Sequence, residues 1–544
     1  LPGLIVMPGN HIPFSAYRSF ITAKYFSLDY NKNFVYSFTK TIVLVILLRF
    51  PLMRVFLKTS IFLHILLYST WLFSLPWLDH GSLQVSTINP HYLAYKDGTP
   101  FFWLGDTAWE LFHRLDRQDA LFYLQKRAEQ EFNIIQAVTI AEFNGTGTPN
   151  VYGDLPFIDK DPLKPAITPG NNPDDAAEYD YFDHMDYIID QAGKLGLYIG
   201  LLPCWGEYVI PREGRGIFNT PEQTYSYGRF IGARFGKYPN LIWILGGDRL
   251  PDERPDGVTL WRAMAEGIAD GVNGENNYNG QADYSTTLIT HHCFNSSSQW
   301  FHQDAWIDLH SWGSYHADFY LSRAYTEAEH DWLLPSPKPT LNAEPAYEDH
   351  PLNYTAGTGY FTAFDVRQIA YWSVFAGCCG HSYGAHPVWQ FYTPNGEPGL
   401  VRTDWKNALN FDGANQIKYL KRLLLSRPLL ELTPDQSLIL AGQAEGPGHI
   451  QAIRGNSFAF IYIPTGAVTT VRMGAISGDV VAGWWYNPRT GDSEMIGTFP
   501  NVGSLMFDPP GLSPQLTWLQ TGRGCDWVLV LDDIAKGYNE PGKQ

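Results

Sequence analysis

The sequence predicts an α/β architecture, a (β/α)8 barrel of the TIM type followed by a C-terminal all-β sandwich, and three observations carry that prediction. From Leu83 to about residue 430, short apolar runs alternate with longer helical patterns, the order that builds a parallel sheet covered by helices. Two of those runs, Asn240-Leu-Ile-Trp-Ile-Leu-Gly-Gly-Asp248 and Lys338-Pro-Thr-Leu-Asn-Ala-Glu344, stop at a carboxylate. A buried parallel strand reads as a near-continuous apolar run, and a barrel places its chemistry at the carboxyl ends of its strands. Beyond Leu430 the runs shorten and are separated by Gly, Pro, Asn and Asp turns, the pattern of a sandwich.

At 544 residues the chain is too long for one ordinary domain and long enough for two cores. A hydrophobic fraction of 45% with 17% charged residues is that of a folded globular protein. The net charge of −17 argues against nucleic acid or an anionic membrane surface as a partner, and against a bare polyuronate as substrate. Aromatic residues make up 15% of the chain, 18 of them Trp; most are assigned to core packing, and a minority at strand ends to stacking on sugar faces. The five cysteines, Cys204, Cys293, Cys378, Cys379 and Cys525, form neither a disulfide framework nor a CxxC pair, so they are read as buried thiols.

Residues 1–82 read as an upstream segment and a signal peptide that starts at Met53. Met53-Arg-Val-Phe-Leu-Lys58 is basic, and Thr59 to Leu75 is an apolar run that Pro76-Trp-Leu-Asp-His-Gly81 ends. This is the n-region and h-region order of export, with cleavage expected between Ser69 and Ser86 and a periplasmic, cell-surface or secreted location in a bacterium. The other reading is an N-terminal membrane anchor, since the run is only slightly short of the roughly 20 residues that span a bilayer. After Leu83 the sequence offers no further membrane candidate.

The barrel is expected over 83–430. Its first strand is in Phe101-Phe-Trp-Leu-Gly-Asp106-Thr-Ala-Trp109, followed by a helix around Arg117 to Gln130. Asn133 to Ile140 is the second strand, and a Gly-, Pro- and Asn-rich loop from Asn144 to about Asp175 is long enough to wall a substrate cleft. A helix from about Tyr179 to Leu195, with Met185, Ile188, Ile189 and Ala192 at core spacing, leads to the third strand, Leu197 to Trp205. The Tyr225 to Phe235 helix precedes the fourth, which ends at Asp248, and Thr259 to Asp270 is the next helix. Leu288 to Phe294 is the fifth strand, Ala305 to Trp312 the sixth, Pro339 to Glu344 the seventh, and Tyr371 to His386 holds a helix end and the eighth. A doubly wound open sheet is the competing fold, but no Gly-rich phosphate loop follows an early strand. Strands at Ser437 to Leu440, Ile450 to Ile453, Phe458 to Ile463, Val468 to Met473, Val480 to Tyr486 and Trp527 to Leu531 make up the sandwich, expected over 431–544.

A single acid at a strand end is ordinarily a helix cap. A pair on the fourth and seventh strands of one barrel can meet across its mouth, and glycoside hydrolysis needs two carboxyls. Asp248 is therefore read as acid/base and Glu344 as nucleophile of a retaining glycosidase. Retention requires the carboxyls about 5 to 5.5 Å apart, against about 6.5 to 9.5 Å for inversion. The acid must carry a raised pKa, from partial burial or from the charge of Glu344. Candidate substrate-binding residues are Asp106, Trp109, Trp205, His292, His310, Trp312, His381 and Tyr383, with His386 a further candidate. Asp106 reads equally as a helix cap, and of His291 and His292 only one can face the site because neighbours on a strand point to opposite faces. No HExxH pair and no G-x-S-x-G elbow occurs, so neither a zinc centre nor a serine nucleophile is expected, and no cofactor is called for.

Phe102-Trp-Leu-Gly-Asp-Thr-Ala-Trp109, Trp243-Ile-Leu-Gly-Gly-Asp248, Asn342-Ala-Glu-Pro345 and Asp526-Trp-Val-Leu-Val-Leu-Asp532 resemble glycoside hydrolase family 140, the apiosidases. The resemblance spans about Leu83 to Asp533. It implies a (β/α)8 barrel with a β-sandwich often labelled as collagen-binding, cleavage of apiosyl links in the side chains of pectic rhamnogalacturonan-II, and catalytic roles for Asp248 and Glu344. The alternatives are another retaining barrel glycosidase, acting on an arabinofuranoside, a β-glucan or a mannan, and a non-catalytic protein that binds glycan or matrix at the cell surface.

Overall fold

The structure, a computed structural model, describes residues 75–212, 214–394, 399–511 and 524–543. The signal peptide read from Met53 and the segment upstream of it therefore lie outside the described residues. Among the described residues no helix is long and apolar enough to cross a membrane. Of the five cysteines, four are buried and Cys525 is half-buried, and all are free thiols.

Each of the eight apolar runs holds one parallel barrel strand: β1 (Trp103–Thr107), β2 (Ile134–Val138), β3 (Tyr198–Leu202), β4 (Leu241–Gly246), β5 (Ile289–His292), β6 (His310–Gly313), β7 (Thr340–Glu344) and β8 (Gly380–Tyr383). Six pair in the order β8-β1-β2-β3-β4-β5, and β6 pairs with β7. Single backbone hydrogen bonds close the cylinder, Asp308 N–H to Ile289 O at 2.9 Å on one side and Cys379 N–H to Thr340 O at 3.0 Å on the other. Nearly every strand residue is buried. In a closed barrel the helices bury the outer face of the sheet and the packed interior side chains bury the inner one.

The helices begin and end where local chemistry allows. Asp116 caps α1 (Arg117–Glu129) by accepting from Asp119 N–H. Asp180 and Asp183 form a reciprocal capping box on α2 (Tyr181–Lys194). Thr220 caps α3 (Pro221–Phe235), and Gly274 at φ 75° stops α4 (Gly257–Asn273). Two further barrel helices are α5 (Arg323–Trp332) and α6 (Ala363–Phe375).

The C-terminal strands β9 (Gln451–Arg454), β10 (Phe458–Ile463), β11 (Thr469–Arg472), β12 (Val480–Tyr486), β13 (Ser493–Pro500), β14 (Ser504–Phe507) and β15 (Trp527–Asp533) form two antiparallel sheets. One has the order Thr433–Pro434, β9, β10, β15, β12, β13, and the other Ile439–Ala441, β11, β14. Sequence patterning passed over β13 and β14. Both are mostly half-exposed or exposed, so neither presents the apolar run by which buried strands are recognised.

The two aspartates of Asp526-Trp-Val-Leu-Val-Leu-Asp532 have a structural role, joining sandwich to barrel. Asp526 accepts two hydrogen bonds from Arg367 of α6, both 2.8 Å, and one from Tyr462 at 3.2 Å. Asp532 accepts two from Arg427, at 2.8 and 2.7 Å. All four charged side chains are buried. Asp526→Ala strands the Arg367 guanidinium without its partner, which costs about 3–5 kcal/mol. The expected result in differential scanning calorimetry is a lowered unfolding midpoint, much of it regained when Arg367→Leu is added; an unchanged midpoint in the single variant refutes the coupling.

Candidate active site

The mouth of the barrel is built around a backbone reversal at the end of β4. Gly246, Gly247 and Asp248 have φ of 90°, 131° and 51°, values that glycine adopts freely and that Asp tolerates better than most residues. The two glycines are also demanded by space. A Cβ at Gly246 would sit 2.0 Å from His292 O, and one at Gly247 would sit 2.7 Å from Gly206 N and 3.0 Å from the Trp205 ring. Gly247 N–H donates to His292 O at 2.8 Å, which carries the β4–β5 pairing one residue past the strand before Asp248 turns over the opening.

Glu344 ends β7 with its backbone held firmly. Its carbonyl accepts from the N–H groups of Ser314 and Tyr315, both at 3.1 Å, and Asn342 binds Ser314 Oγ at 3.0 Å and Ser373 Oγ at 3.1 Å. The carboxylate meets His292, the last residue of β5, with His292 Nε2 3.1 Å from Glu344 Oε2 and 3.5 Å from Asp248 Oδ1. Tyr315 OH donates to Asp248 Oδ1 at 3.1 Å. His316 Nδ1 accepts from Tyr347 N–H at 3.3 Å, which leaves its Nε2–H to face Glu344 Oε1 at 3.6 Å. One donor atom from each of Asp248, His292 and Glu344 lies within 4.8 Å of the other two.

The electrostatics separate the two acids. The Glu344 side chain is 7% exposed, whereas that of Asp248 is 39% exposed and looks into the cleft. Enclosing walls still strip much of its water, and this desolvation, with the charge of Glu344, raises the Asp248 pKa above the ordinary carboxylate value. Burial alone lowers the pKa of His292, but the hydrogen bonds and charges of Asp248 and Glu344 outweigh it and take His292 up to about 9. An imidazolium therefore bridges the two carboxyl groups at neutral pH. The same three atoms could approach a cation, which would take the place of the imidazolium proton.

Three of the sequence-derived binding residues come together here. The Trp109 ring lies 5.4 Å from Trp205 and 5.5 Å from His292, and Trp205 lies 6.0 Å from His292; Trp109 Nε1–H donates to Tyr347 OH at 3.3 Å. His291 points the other way, between Trp261 and Phe301, as strand alternation requires.

The other five are placed elsewhere. Asp106 is neither a helix cap nor a cleft residue: it is fully buried, accepting from Tyr123 OH at 2.5 Å and from Arg127 Nε at 2.7 Å, both on α1. His310, at the amino end of β6, engages Ser297 Oγ at 3.1 Å and His302 Nδ1 at 2.9 Å. Trp312 faces the helix shell, packing on Ala328 and Ala376 and donating to Thr340 Oγ1 at 2.9 Å. His381 is fully buried with neither ring nitrogen hydrogen-bonded among the described residues, and burial lowers its pKa to about 3. Tyr383 is equally buried and donates to Glu348 at 2.6 Å. Each lies in a barrel strand, but a strand sends only alternate side chains inward and only its last ones to the mouth.

Tyr315, His316 and Tyr347 are site residues that sequence patterning did not reach. The available signal was position: Ser314-Tyr-His316 directly follows the sixth strand, and Tyr347 lies three residues past Glu344.

His292→Gln tests the bridge. The imidazolium lowers the pKa of Asp248, so its removal moves the alkaline limb of the kcat/KM profile to higher pH, while loss of its positioning reduces kcat about 10- to 100-fold. A pH–rate profile of the variant with an unmoved limb refutes the coupling.

Comparison with known proteins bears on what this site does. A family model described as "Apiosidase-like, catalytic domain" matches residues 87–431, and a second, whose description names the collagen-binding domain of a collagenase, matches residues 433–532. A solved structure titled "Glycoside hydrolase" is 33% identical with a TM-score of 0.73, covering 85% of this chain and 99% of its own. A glycoside hydrolase family 5 structure from Bacteroides vulgatus is 31% identical with a TM-score of 0.74, covering 86% of this chain and 97% of its own. No curated protein matches.

Proposed function

The chain belongs to the apiosidase-like family of glycoside hydrolases, and from that premise we propose that it is a retaining enzyme that removes apiosyl units from the side chains of pectic rhamnogalacturonan-II. The observation that carries the retaining assignment is the proximity of the two acids. A carboxylate oxygen of Asp248 lies within 4.8 Å of one of Glu344, a proximity that supports the roughly 5 to 5.5 Å spacing of retaining enzymes over the roughly 6.5 to 9.5 Å of inverting ones.

In this reading Asp248, protonated because its pKa is raised, gives its proton to the leaving glycosidic oxygen as Glu344 attacks the anomeric carbon. The glycosidic bond breaks and a glycosyl ester to Glu344 forms. Asp248, now a carboxylate, takes a proton from water, whose oxygen attacks the same carbon and releases Glu344. His292 and His316 orient Glu344, and Trp109 and Trp205 supply apolar surface beside the reacting sugar. The basic Met53-to-Lys58 segment and the apolar run after it support a place for this chemistry outside the cytoplasm, where plant polysaccharide is met.

The similarity to a structure titled as a family 5 glycoside hydrolase leaves one second reading, another retaining barrel glycosidase acting on an arabinofuranoside, a β-glucan or a mannan. Incubation with rhamnogalacturonan-II oligosaccharides, arabinofuranosides, β-glucan and mannan, with released sugars identified, separates the two. Release of apiose is the expected result, and the first-formed anomer seen by proton NMR keeps the configuration of the substrate. Hydrolysis of β-glucan or mannan alone overturns the substrate assignment; an inverted first product overturns the mechanism.

A further inference from the structure

The barrel mouth holds a third carboxyl that the acid pair does not use. Glu142 lies just beyond β2, on the same face as Asp248 and Glu344, and its turn is pinned on both sides. Tyr208 OH donates to Ala141 O at 2.9 Å, Arg215 Nη1 to Glu142 O at 3.3 Å, and Phe143 N–H to Glu110 Oε1 at 3.3 Å. Tyr208 belongs to the Gly206–Tyr208 turn, and Gly206 lies against Gly247, so closely that a Cβ there would come 1.9 Å from Gly247 O. Glu142 and Asp248 thus share one rigid support. Among the described residues no hydrogen bond or ion pair engages the half-buried Glu142 carboxyl.

We propose that Glu142 binds the sugar seated between Asp248 and Glu344, donating to and accepting from its hydroxyls, and makes that subsite selective for an uncharged sugar over a uronic acid. The proposal rests on the reading of Asp248 and Glu344 as the catalytic pair. The charged groups close enough to act on Glu142 are Asp248, Glu344, Glu110 and Glu207, with Arg215 paired to Glu207 at 3.0 Å. Burial, and then the repulsion of these acids, holds the Glu142 pKa well above the ordinary carboxylate range. As a neutral acid it offers one O–H donor and a carbonyl acceptor, a match for two hydroxyls of a sugar. The Glu344 carboxylate beside it repels a second carboxylate and favours the positive charge that develops on the sugar in the transition state.

Two measurements on the whole protein test this. Infrared difference spectra of wild type and Glu142→Gln at pH 7 are expected to show a protonated-carboxyl band that the variant lacks. Calorimetric titration with apiose, arabinose, galactose and galacturonate is expected to show binding of at least one neutral sugar, and binding of galacturonate at least ten-fold weaker. Glu142→Ala weakens the neutral sugar about ten-fold and raises KM on the cleaved glycan accordingly, Glu142→Gln stays within about three-fold because it keeps a donor and an acceptor, and both melt as wild type does. A missing band, no neutral sugar bound, an unchanged affinity in Glu142→Ala, or galacturonate bound as tightly as the neutral sugars overturns the proposal. If wild type cleaves no pectic glycan while these binding results hold, the substrate assignment fails and the Glu142 subsite stands.

Discussion

Glu344→Gln is expected to lower kcat/KM by about four orders of magnitude or more while leaving the fold intact, because it removes the atom that bonds to the sugar and leaves the shape of the site. The amide carbonyl can still accept from His292 Nε2, now 3.1 Å from Glu344 Oε2, so the local packing survives. What is lost is the negative charge and the nucleophile. Glu344→Ala opens space at the same point, and azide is expected to restore turnover there, giving a glycosyl azide of inverted configuration because the small anion attacks from the side the carboxylate occupied. The charge of Glu344 is one cause of the raised Asp248 pKa, so the residual activity of the Gln variant loses its alkaline limb at lower pH than wild type. Activity above about one hundredth of wild type in the Gln variant places the nucleophile elsewhere.

Asp248→Asn is expected to cost about 10²- to 10⁴-fold on substrates with a sugar leaving group, and far less on an aryl glycoside whose phenolate leaves without protonation. That split identifies a proton donor, since a merely structural aspartate lowers both rates alike. The pH dependence gives a second readout. A proton donor works in its protonated form, which prevails below its pKa. Burial and Glu344 raise that pKa in Asp248, so wild-type kcat/KM falls as pH rises through the raised value. The Asn variant, with no proton to lose, is flat over that range. An Asn variant equally damaged on both substrates, with the limb retained, refutes the assignment.

Much of the barrel was legible in the sequence because burial on both faces of a parallel strand writes itself as an uninterrupted apolar run. Leu241 to Leu245 is such a run, and Ile134 to Val138 is one but for Gln136; neither needs a neighbour to be recognised. The acid pair was legible for a related reason: Asp248 and Glu344 each interrupt such a run where the strand must emerge. The sandwich was half legible. Phe458–Ile463 and Trp527–Asp533 are almost entirely buried, whereas Ser493–Pro500 lies at a sheet edge with half-exposed and exposed residues, and an edge strand carries little hydrophobic signal.

The binding residues divide along a different line. Trp109, Trp205 and His292 follow or end their strands and reach the mouth, while His310, Trp312 and His381 lie within strands and face the shell or the interior. Residue type alone could not sort them, because a histidine or tryptophan serves a core as well as a cleft.

The sequence by itself determined the eight strands, the sandwich that follows them and the two carboxylates at the ends of strands four and seven, because these depend on local hydrophobic pattern and on chain order. Only the tertiary structure decided that His292 bridges those carboxylates, that Asp106 is held by Arg127 and that Asp526 joins the two domains. Each of these is a meeting of charged or polar groups from separate segments, and the strength of such a meeting depends on distance and on the water excluded around it, quantities that exist only once the chain has folded.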